Sequence, residues 1–484
     1  MQEWPEPIVR VQSLSESGTG NIPERFIKPP SEREAAQLVP EMTKSIPVID
    51  VGGLANEKYT YSEETMRAIS NACEEWGFFQ LVNHGVSKDV MEKAREVWRE
   101  FFHLPMEEKE VYSNSPTNYE GYGSRVGVEK DATLDWSDYF FLHLLPENQR
   151  NYNEWPNLPT SLRKMTEKYG NEVVKLCMFL MEMLSMSLGL DKGYIREAFG
   201  GDDNGACLRV CFYPKCPQPD LTLGLSAHSD PGGFTVLLAD ENVPGLEVRK
   251  GDSWVTVQPL PGAFIVNIAD QIQVLSNGTF KSVEHRVQVN SRKERLSMAL
   301  FFNPKGDVPI GPAEQLLSPE KPALYPHNIT FNQYRQFIRQ KGLHGKYQVE
   351  SLKAIVTDME DDDAVMGGGS GKKRMRWTPE LRECFERAVD QLGGPDRATP
   401  KGILKTMSVP GLTIAHVKSY LQKYRMSKFI PESSDGGKLE GRKFSEILPN
   451  FSSTSRVQIT EALQSHMEGQ LGLEDQLEAS FLDI

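Results

Sequence analysis

Cysteine is scarce, at six in 484 residues. Cys73, Cys177, Cys207, Cys211, Cys216 and Cys384 show neither the paired spacing of a zinc site nor the density of a disulfide scaffold, so reduced intracellular thiols are expected. No apolar run approaches the ~20 residues of a membrane helix, and the opening MQEWPEPIVRVQSL has no apolar stretch that would serve as a secretory signal. A soluble chain without a membrane partner is the expectation. An excess of positive charge is also lacking: 54 Lys and Arg against 67 Asp and Glu leave a net charge of −13. That balance argues against a uniformly nucleic-acid-binding protein. The length, in turn, is too great for one ordinary domain and predicts two or three.

What is present concentrates between Leu208 and Pro304. Runs such as Phe234-Thr235-Val236-Leu237-Leu238 and Ala263-Phe264-Ile265-Val266 alternate with Gly, Pro, Asp and Asn, the pattern of an antiparallel β sandwich or barrel. His228 and Asp230, two apart on a strand, would point to one side, and His285 in a second predicted strand (282–289) can complete the set. Two imidazoles and a carboxylate with positions left open form the ligand set of non-haem Fe(II) oxygenases. Arg295 and Ser297 follow on one strand face, where a guanidinium and a hydroxyl can grip the distal end of a dicarboxylate.

This stretch resembles the plant Fe(II)- and 2-oxoglutarate-dependent dioxygenases, whose pattern is His-x-Asp, a distant His and Arg-x-Ser. The resemblance implies a double-stranded β-helix (jelly roll) with flanking helices. It places Fe(II) on His228, Asp230 and His285 as catalytic metal ligands, and 2-oxoglutarate on Arg295, Ser297 and Tyr213. O2 is the oxidant and ascorbate the reductant. Cys211 stands where many relatives carry Asn, which removes one hydrogen bond to the cosubstrate, and Ala227 stands where a Pro often precedes the first ligand.

Upstream, residues 1–45 read as an arm that wraps a neighbouring domain, and Ile46–Asp50 as a short strand. Helices are predicted over Glu63–Trp76, from Ser87 to about Phe102 and within 158–190. His84 reads as a turn-closing residue outside the iron set. The aromatic segment 119–145 reads as core with a few rings left for a substrate pocket. Beyond the barrel, Thr330 is a candidate N-cap for a helix that brings Arg335 and Arg339 onto one face. By spacing alone those two arginines read as a solvated face.

Over residues 1 to about 352 the chain is similar to the jasmonate-oxidising branch of the family, through WPEPIVRVQSL, YEGYGSRVGVEK, LDWSDYFFLHLLP, FGGDDNGACLRV and FNQYRQFIRQKG. That resemblance implies a carboxylate clamp of Arg209, Arg335 and Arg339, apolar walls at Phe141 and Phe302, and hydroxylation of jasmonic acid to 12-hydroxyjasmonate. A flavonoid or another specialised metabolite is the alternative substrate.

Past the oxygenase the composition changes. An acidic run at 358–363 and a Gly-rich stretch at 367–371 precede KKRMRWTPEL, where basic residues predominate. Three helices are predicted, beginning at Thr378-Pro379, Thr399-Pro400 and Thr413. Leu381, Phe385, Ala388 and Leu392 face inward on the first, Ile403, Leu404 and Met407 on the second, and Ile414, Val417, Leu421 and Tyr424 on the third. A basic last helix after two others is a helix-turn-helix layout. The segment resembles the single-repeat MYB-related (GARP) domain of plants, through RWTPEL, LGGPDRATPK and KSYLQKYR, with Tyr420 replacing the usual His. The resemblance implies double-stranded DNA as partner, with Lys418, Gln422 and Lys423 on the third helix and Arg374 and Arg376 in the basic arm as contacts. The final segment resembles the start of the MYB-CC coiled coil. Ile459, Leu463, Leu473 and Leu477 form a partial seam that Gly469 and Gly472 interrupt, and Leu471, Glu474 and Phe481 stand where relatives carry basic residues. Weak homodimerisation is expected.

The organisation read from sequence is an arm (1–45), an oxygenase N-terminal region (46–160), a jelly roll with a C-terminal helix (161–356), a linker (357–371), an all-α MYB-like domain (372–430), a linker (431–456) and a partial coiled coil (457–484). A hydroxylase joined to a transcription factor module predicts a nuclear protein, with the cytoplasm as a second location. Two other readings stay open at this point: a transcription factor with an inert oxygenase domain, and a merged gene model of two adjacent genes.

Overall fold

Runs of β-branched and aromatic residues bounded by turn formers build two facing sheets. The computed structural model describes residues 4–33, 45–52, 63–342, 345–353, 379–395, 397–409 and 412–427. The strands, in chain order, are β1 (Val48–Asp50), β2 (Phe78–Val82), β3 (Gly121–Gly123), β4 (Asp138–Leu145), β5 (Gly205–Tyr213), β6 (Leu225–His228), β7 (Phe234–Leu238), β8 (Leu246–Lys250), β9 (Ser253–Thr256), β10 (Phe264–Ile268), β11 (His285–Val287) and β12 (Arg295–Asn303). Eight form a major sheet in the order β1-β2-β10-β7-β12-β5-β4-β3, and four a minor sheet in the order β6-β11-β8-β9. Residues of both sheets share apolar clusters: Tyr139, Cys211 and Tyr213 with Leu225 and Val287, and Phe78 and Ile265 with Leu246 and Val248. This is the jelly roll the sequence predicts.

The two-residue period of a strand sorts the major sheet. β12 runs antiparallel to β5 from Arg295 opposite Tyr213 to Asn303 opposite Gly205. Cys207, Arg209, Cys211 and Tyr213 of β5, with Arg295, Ser297, Ala299, Phe301 and Asn303 of β12, face the space between the sheets. The alternate residues face the helices. Phe212 stacks on Phe102 at 5.0 Å, and Phe140 of β4 meets Trp98 and Phe101 at 5.2 and 5.3 Å.

The helices α2 (Glu63–Glu75), α3 (Lys88–Phe102) and the 26-residue α4 (Leu162–Ser187) behind the sheet agree with the sequence reading, while α1 (Val11–Glu16) forms inside the segment read only as an arm. His84 does close a turn, with Nε2 3.0 Å from the Gly262 carbonyl and Nδ1 accepting from Val86 N–H. The arm lies on the oxygenase itself: Arg10 donates to Glu110 and Ser124, and the Val11 and Gln12 amides donate to the buried Asp138 carboxylate. Two further helices matter for the site, α5 (Asp270–Leu275) and α6 (Phe331–Lys341). Thr330 caps α6, as expected, and the structure adds a reciprocal box with Gln333.

The basic segment folds as α7 (Pro379–Gln391), α8 (Pro400–Met407) and α9 (Ile414–Ser427). Gly393 and Gly394, both with positive φ, end α7, and Thr399 caps α8. Phe385, Ala388, Ile403, Met407, Val417, Leu421 and Tyr424 form its core. Ile414 departs from the expected inward face. It is the first residue of α9, is 51% exposed and lies outside the apolar cluster the three helices share. The coiled coil and both linkers lie outside the described residues. Among the described residues no helix is long and apolar enough to cross a membrane.

Candidate active site

β6 and β11 are neighbours in the minor sheet, and their register sets His285 directly opposite His228. Each imidazole turns Nδ1 toward a main-chain carbonyl two residues upstream, Ser226 at 2.8 Å and Val283 at 3.2 Å. That hydrogen bond fixes the ring and leaves Nε2 as the free lone pair. Both Nε2 atoms point at Asp230 Oδ1, at 3.5 and 3.7 Å. β6 ends at His228, so Asp230 arrives from the following turn and not from the same strand face. The opposite carboxylate oxygen, Oδ2, accepts from Thr235 Oγ1 at 2.6 Å and Asn267 Nδ2 at 2.8 Å. Burial pushes the Asp230 carboxyl up, but the His285 and His228 imidazoles and the Thr235 hydroxyl outweigh it and hold the group well below the usual carboxylate range. Burial and the adjacent His228 push His285 down to about 4, so it stays a neutral ligand. Two imidazole nitrogens and one carboxylate oxygen, all within 4.8 Å of one another, fit a divalent iron with positions to spare.

Across the cavity on the major sheet, Arg295, Ser297 and Tyr213 sit together and are all buried. Arg295 Nη1 donates to Ser297 Oγ at 3.2 Å, and its guanidinium lies 5.0 Å from the Tyr213 ring. Its buried Nε has no hydrogen-bond partner, and no carboxylate among the described residues pairs with it. A buried guanidinium left without a counter-charge is costly, and a dicarboxylate's distal end would relieve it.

A cavity of about 210 Å³ runs between the sheets from this pair of sites to α6. Phe141, Val126, Leu225, Leu237 and Ile338 give it apolar walls, while Arg209, Arg335 and Arg339 enter it as cations. Arg209 lies over the Tyr139 ring at 4.1 Å and Arg339 over Tyr119 at 5.4 Å. None of the three pairs with an acidic side chain among the described residues. Burial and the neighbouring Arg339 push Arg335 below its ordinary value. The solvated face suggested by spacing alone is therefore replaced by two cations turned inward.

Residues 204–304 match the 2OG-Fe(II) oxygenase superfamily, 46–158 match the non-haem dioxygenase in morphine synthesis N-terminal family, and 374–425 match the Myb-like DNA-binding domain. Over 351 residues, 72% of this chain and 94% of the relative, the sequence is 58% identical to jasmonate-induced oxygenase 2 of Arabidopsis thaliana. The chain belongs to the jasmonate-induced oxygenases. Jasmonate-induced oxygenase 1 of the same plant is 58% identical over 354 residues, 72% of this chain and 87% of that protein. The crystal structure of JOX2 in complex with 2OG, Fe, and JA has a TM-score of 0.68 at 58% identity, over 72% of this chain and 99% of that one. This member of the jasmonate-induced oxygenases is thus a 2-oxoglutarate-dependent dioxygenase using Fe(II), and it carries a Myb-like DNA-binding module at its C-terminal side.

One wall position needs correcting. Phe302 is fully buried on the helical side of β12, stacked on Phe234 at 5.5 Å, and Phe301 lines the cavity instead. Strand parity requires this: residues an even number from Arg295 face the cavity, and Phe302 is an odd number away. Several side chains escaped the sequence reading altogether. Thr235 and Asn267 orient Asp230, and Tyr139 supports Arg209. Cys207 Sγ lies 3.2 Å from His143 Nδ1. Burial, with Arg335 and Arg339, pushes His143 down to about 4, so that imidazole stays neutral beside the arginines. Only cross-strand register reveals them: β10 sets Asn267 opposite Thr235 of β7, and β4 sets His143 opposite Cys207 of β5. In the DNA-binding module Lys418 is exposed on α9. Arg374 and Arg376 lie outside the described residues, as do the side chains of Gln422 and Lys423.

Proposed function

We propose that the oxygenase hydroxylates jasmonic acid to 12-hydroxyjasmonate, with Fe(II) on His228, Asp230 and His285 and 2-oxoglutarate on Arg295, Ser297 and Tyr213. The observation that carries the substrate reading is an apolar cavity, opening onto the metal triad, in which Arg209, Arg335 and Arg339 have no acidic partner among the described residues. A molecule with one carboxylate and a hydrocarbon body neutralises those charges and fills that space. The likeness to a JOX2 structure holding 2OG, Fe and JA supports the same reading.

When bound, Fe(II) with 2-oxoglutarate and O2 supplies the oxidising chemistry, giving succinate and CO2 and delivering one oxygen atom to the substrate. The chain's own part is placement. Asp230 stays ionised and, through Thr235 and Asn267, presents one oxygen only. Arg209, Arg335 and Arg339 anchor the substrate carboxylate, and Phe141, Phe301 and Tyr119 exclude water while aiming the chain. The Myb-like module reads double-stranded DNA through α9, where Lys418 is exposed, and directs the chain to the nucleus.

Exchanging Arg335→Ala together with Arg339→Ala tests the clamp. The Michaelis constant for jasmonic acid should rise at least tenfold while substrate-independent turnover of 2-oxoglutarate persists, since a lost charged contact costs about 1.5–3 kcal/mol. Unchanged kinetics would remove the clamp. A panel of flavonoids and other acidic plant hormones, supplied with iron, ascorbate and 2-oxoglutarate, tests the substrate itself.

A further inference from the structure

Asp270 has no part in the site as described so far, yet it joins the site's two halves. It opens α5 and is 1% exposed. Its Oδ2 accepts from Tyr334 Oη at 2.7 Å and from Ser229 Oγ at 3.2 Å. Tyr334 belongs to α6, next to Arg335 on the face turned away from the cavity. Ser229 lies between His228 and Asp230. The Asp270 amide also donates to the Asp230 carbonyl at 2.9 Å, and the Gln271 side chain donates to the Pro231 carbonyl at 3.0 Å.

A second connection runs parallel to the first. Gly345, just beyond α6, forms a bridge alongside His228: Ser229 N–H donates to the Gly345 carbonyl at 3.2 Å, and Gly345 N–H donates to the Ala227 carbonyl at 2.9 Å. The left-handed backbone there, with φ +57°, favours glycine. Gln348 then donates back to the Tyr334 carbonyl. The helix carrying Arg335 and Arg339 is therefore tied twice to the turn carrying His228 and Asp230, once through side chains and once through backbone.

A buried carboxylate is expensive unless it is fully hydrogen-bonded, and an apolar residue at position 270 could fill the same core. Both donors to its Oδ2 come from the two segments whose separation sets the reach of a clamped substrate, and its buried Oδ1 accepts from neither. We propose that Asp270, Tyr334 and Ser229 are positioning residues: with the Gly345 bridge they hold the carboxylate-clamping helix at a fixed offset from the metal triad, and that offset selects the carbon that is oxidised. The proposal rests on Arg335 and Arg339 holding the substrate carboxylate. A misplacement of about 1 Å costs on the order of a hundredfold in a reaction that depends on aim.

Two measurements on the full-length protein test it, with Tyr334→Phe and Asp270→Asn. The first is amide hydrogen exchange without metal or substrate. In Tyr334→Phe, exchange should rise about tenfold both in 331–341 and in 225–230, while α4 stays protected, as the loss of one hydrogen bond to a buried carboxylate predicts. A rise confined to the helix, or none, overturns the tie. The second is the ratio of succinate formed to hydroxylated product, with jasmonic acid as substrate. It should rise several-fold in both variants with the 2-oxoglutarate KM unchanged; a ratio equal to the parent's overturns the role in aiming. Tyr334→Phe removes a single hydroxyl, so it decides the matter if Asp270→Asn fails to fold. Should the parent not oxidise jasmonic acid at all, the substrate reading fails, and hydrogen exchange still decides whether the two segments are tied.

Discussion

Charges without counter-charges define the cavity. Arg209, Arg295, Arg335 and Arg339 all line it, and no acidic side chain among the described residues pairs with any of them. The nearby carboxyl of Glu120 goes the other way. It is buried, accepts the His143 amide at 3.0 Å, and burial lifts it from 4.5 to about 7. A carboxyl that ionises near 4.5 in the unfolded chain and near 7 in the folded one binds more protons when folded. Stability is therefore lost as pH rises from about 4.5 through 7. Glu120→Gln keeps the acceptor and removes the ionisation. The variant should melt progressively higher than the parent between pH 5 and pH 8, reaching roughly 2–3 kcal/mol, as thermal unfolding at both pH values would register. A gap that does not widen with pH would mean that water or a cation reaches the carboxylate.

Among the elements, α6 carries the two arginines of the proposed clamp, and its start was legible from Thr330. Thr330→Ala removes the cap at a cost of about 1 kcal/mol. The expected result is a several-fold higher KM for the acid substrate and an unchanged KM for 2-oxoglutarate, read from steady-state kinetics with each varied in turn. Strands proved less forgiving to read. Parity from Arg295 would have selected Phe301 over Phe302, but resemblance alone pointed to the wrong neighbour. Asp230 was expected to share a strand face with His228, yet β6 stops at His228 and a turn delivers the carboxylate. Ile414 carried the period of a buried position, but a helix's first residue can lie beyond its packing contact.

At the scale of the molecule, one chain holds an oxygenase and a Myb-like module, each with its own core. Separate cores predict separable chemistry. Lys418→Ala should weaken DNA binding in a gel shift and lower the salt slope by about one while leaving 2-oxoglutarate turnover unchanged. Arg335→Ala with Arg339→Ala should do the reverse, and any cross-effect would show that the two halves communicate. The His-x-Asp, His and Arg-x-Ser spacing, the cap signals and the basic composition after residue 371 sufficed to place both modules and the metal triad, because these are local patterns of residue type and period. Folding alone decided what faces what. Strand register put Cys207 against His143 and brought Asn267 under Asp230, and the close of the chain over β6 joined Tyr334 to Ser229 through Asp270. Those contacts join residues 37 to 64 positions apart, whose pairing depends on how the chain folds back on itself, and no local period encodes that alignment.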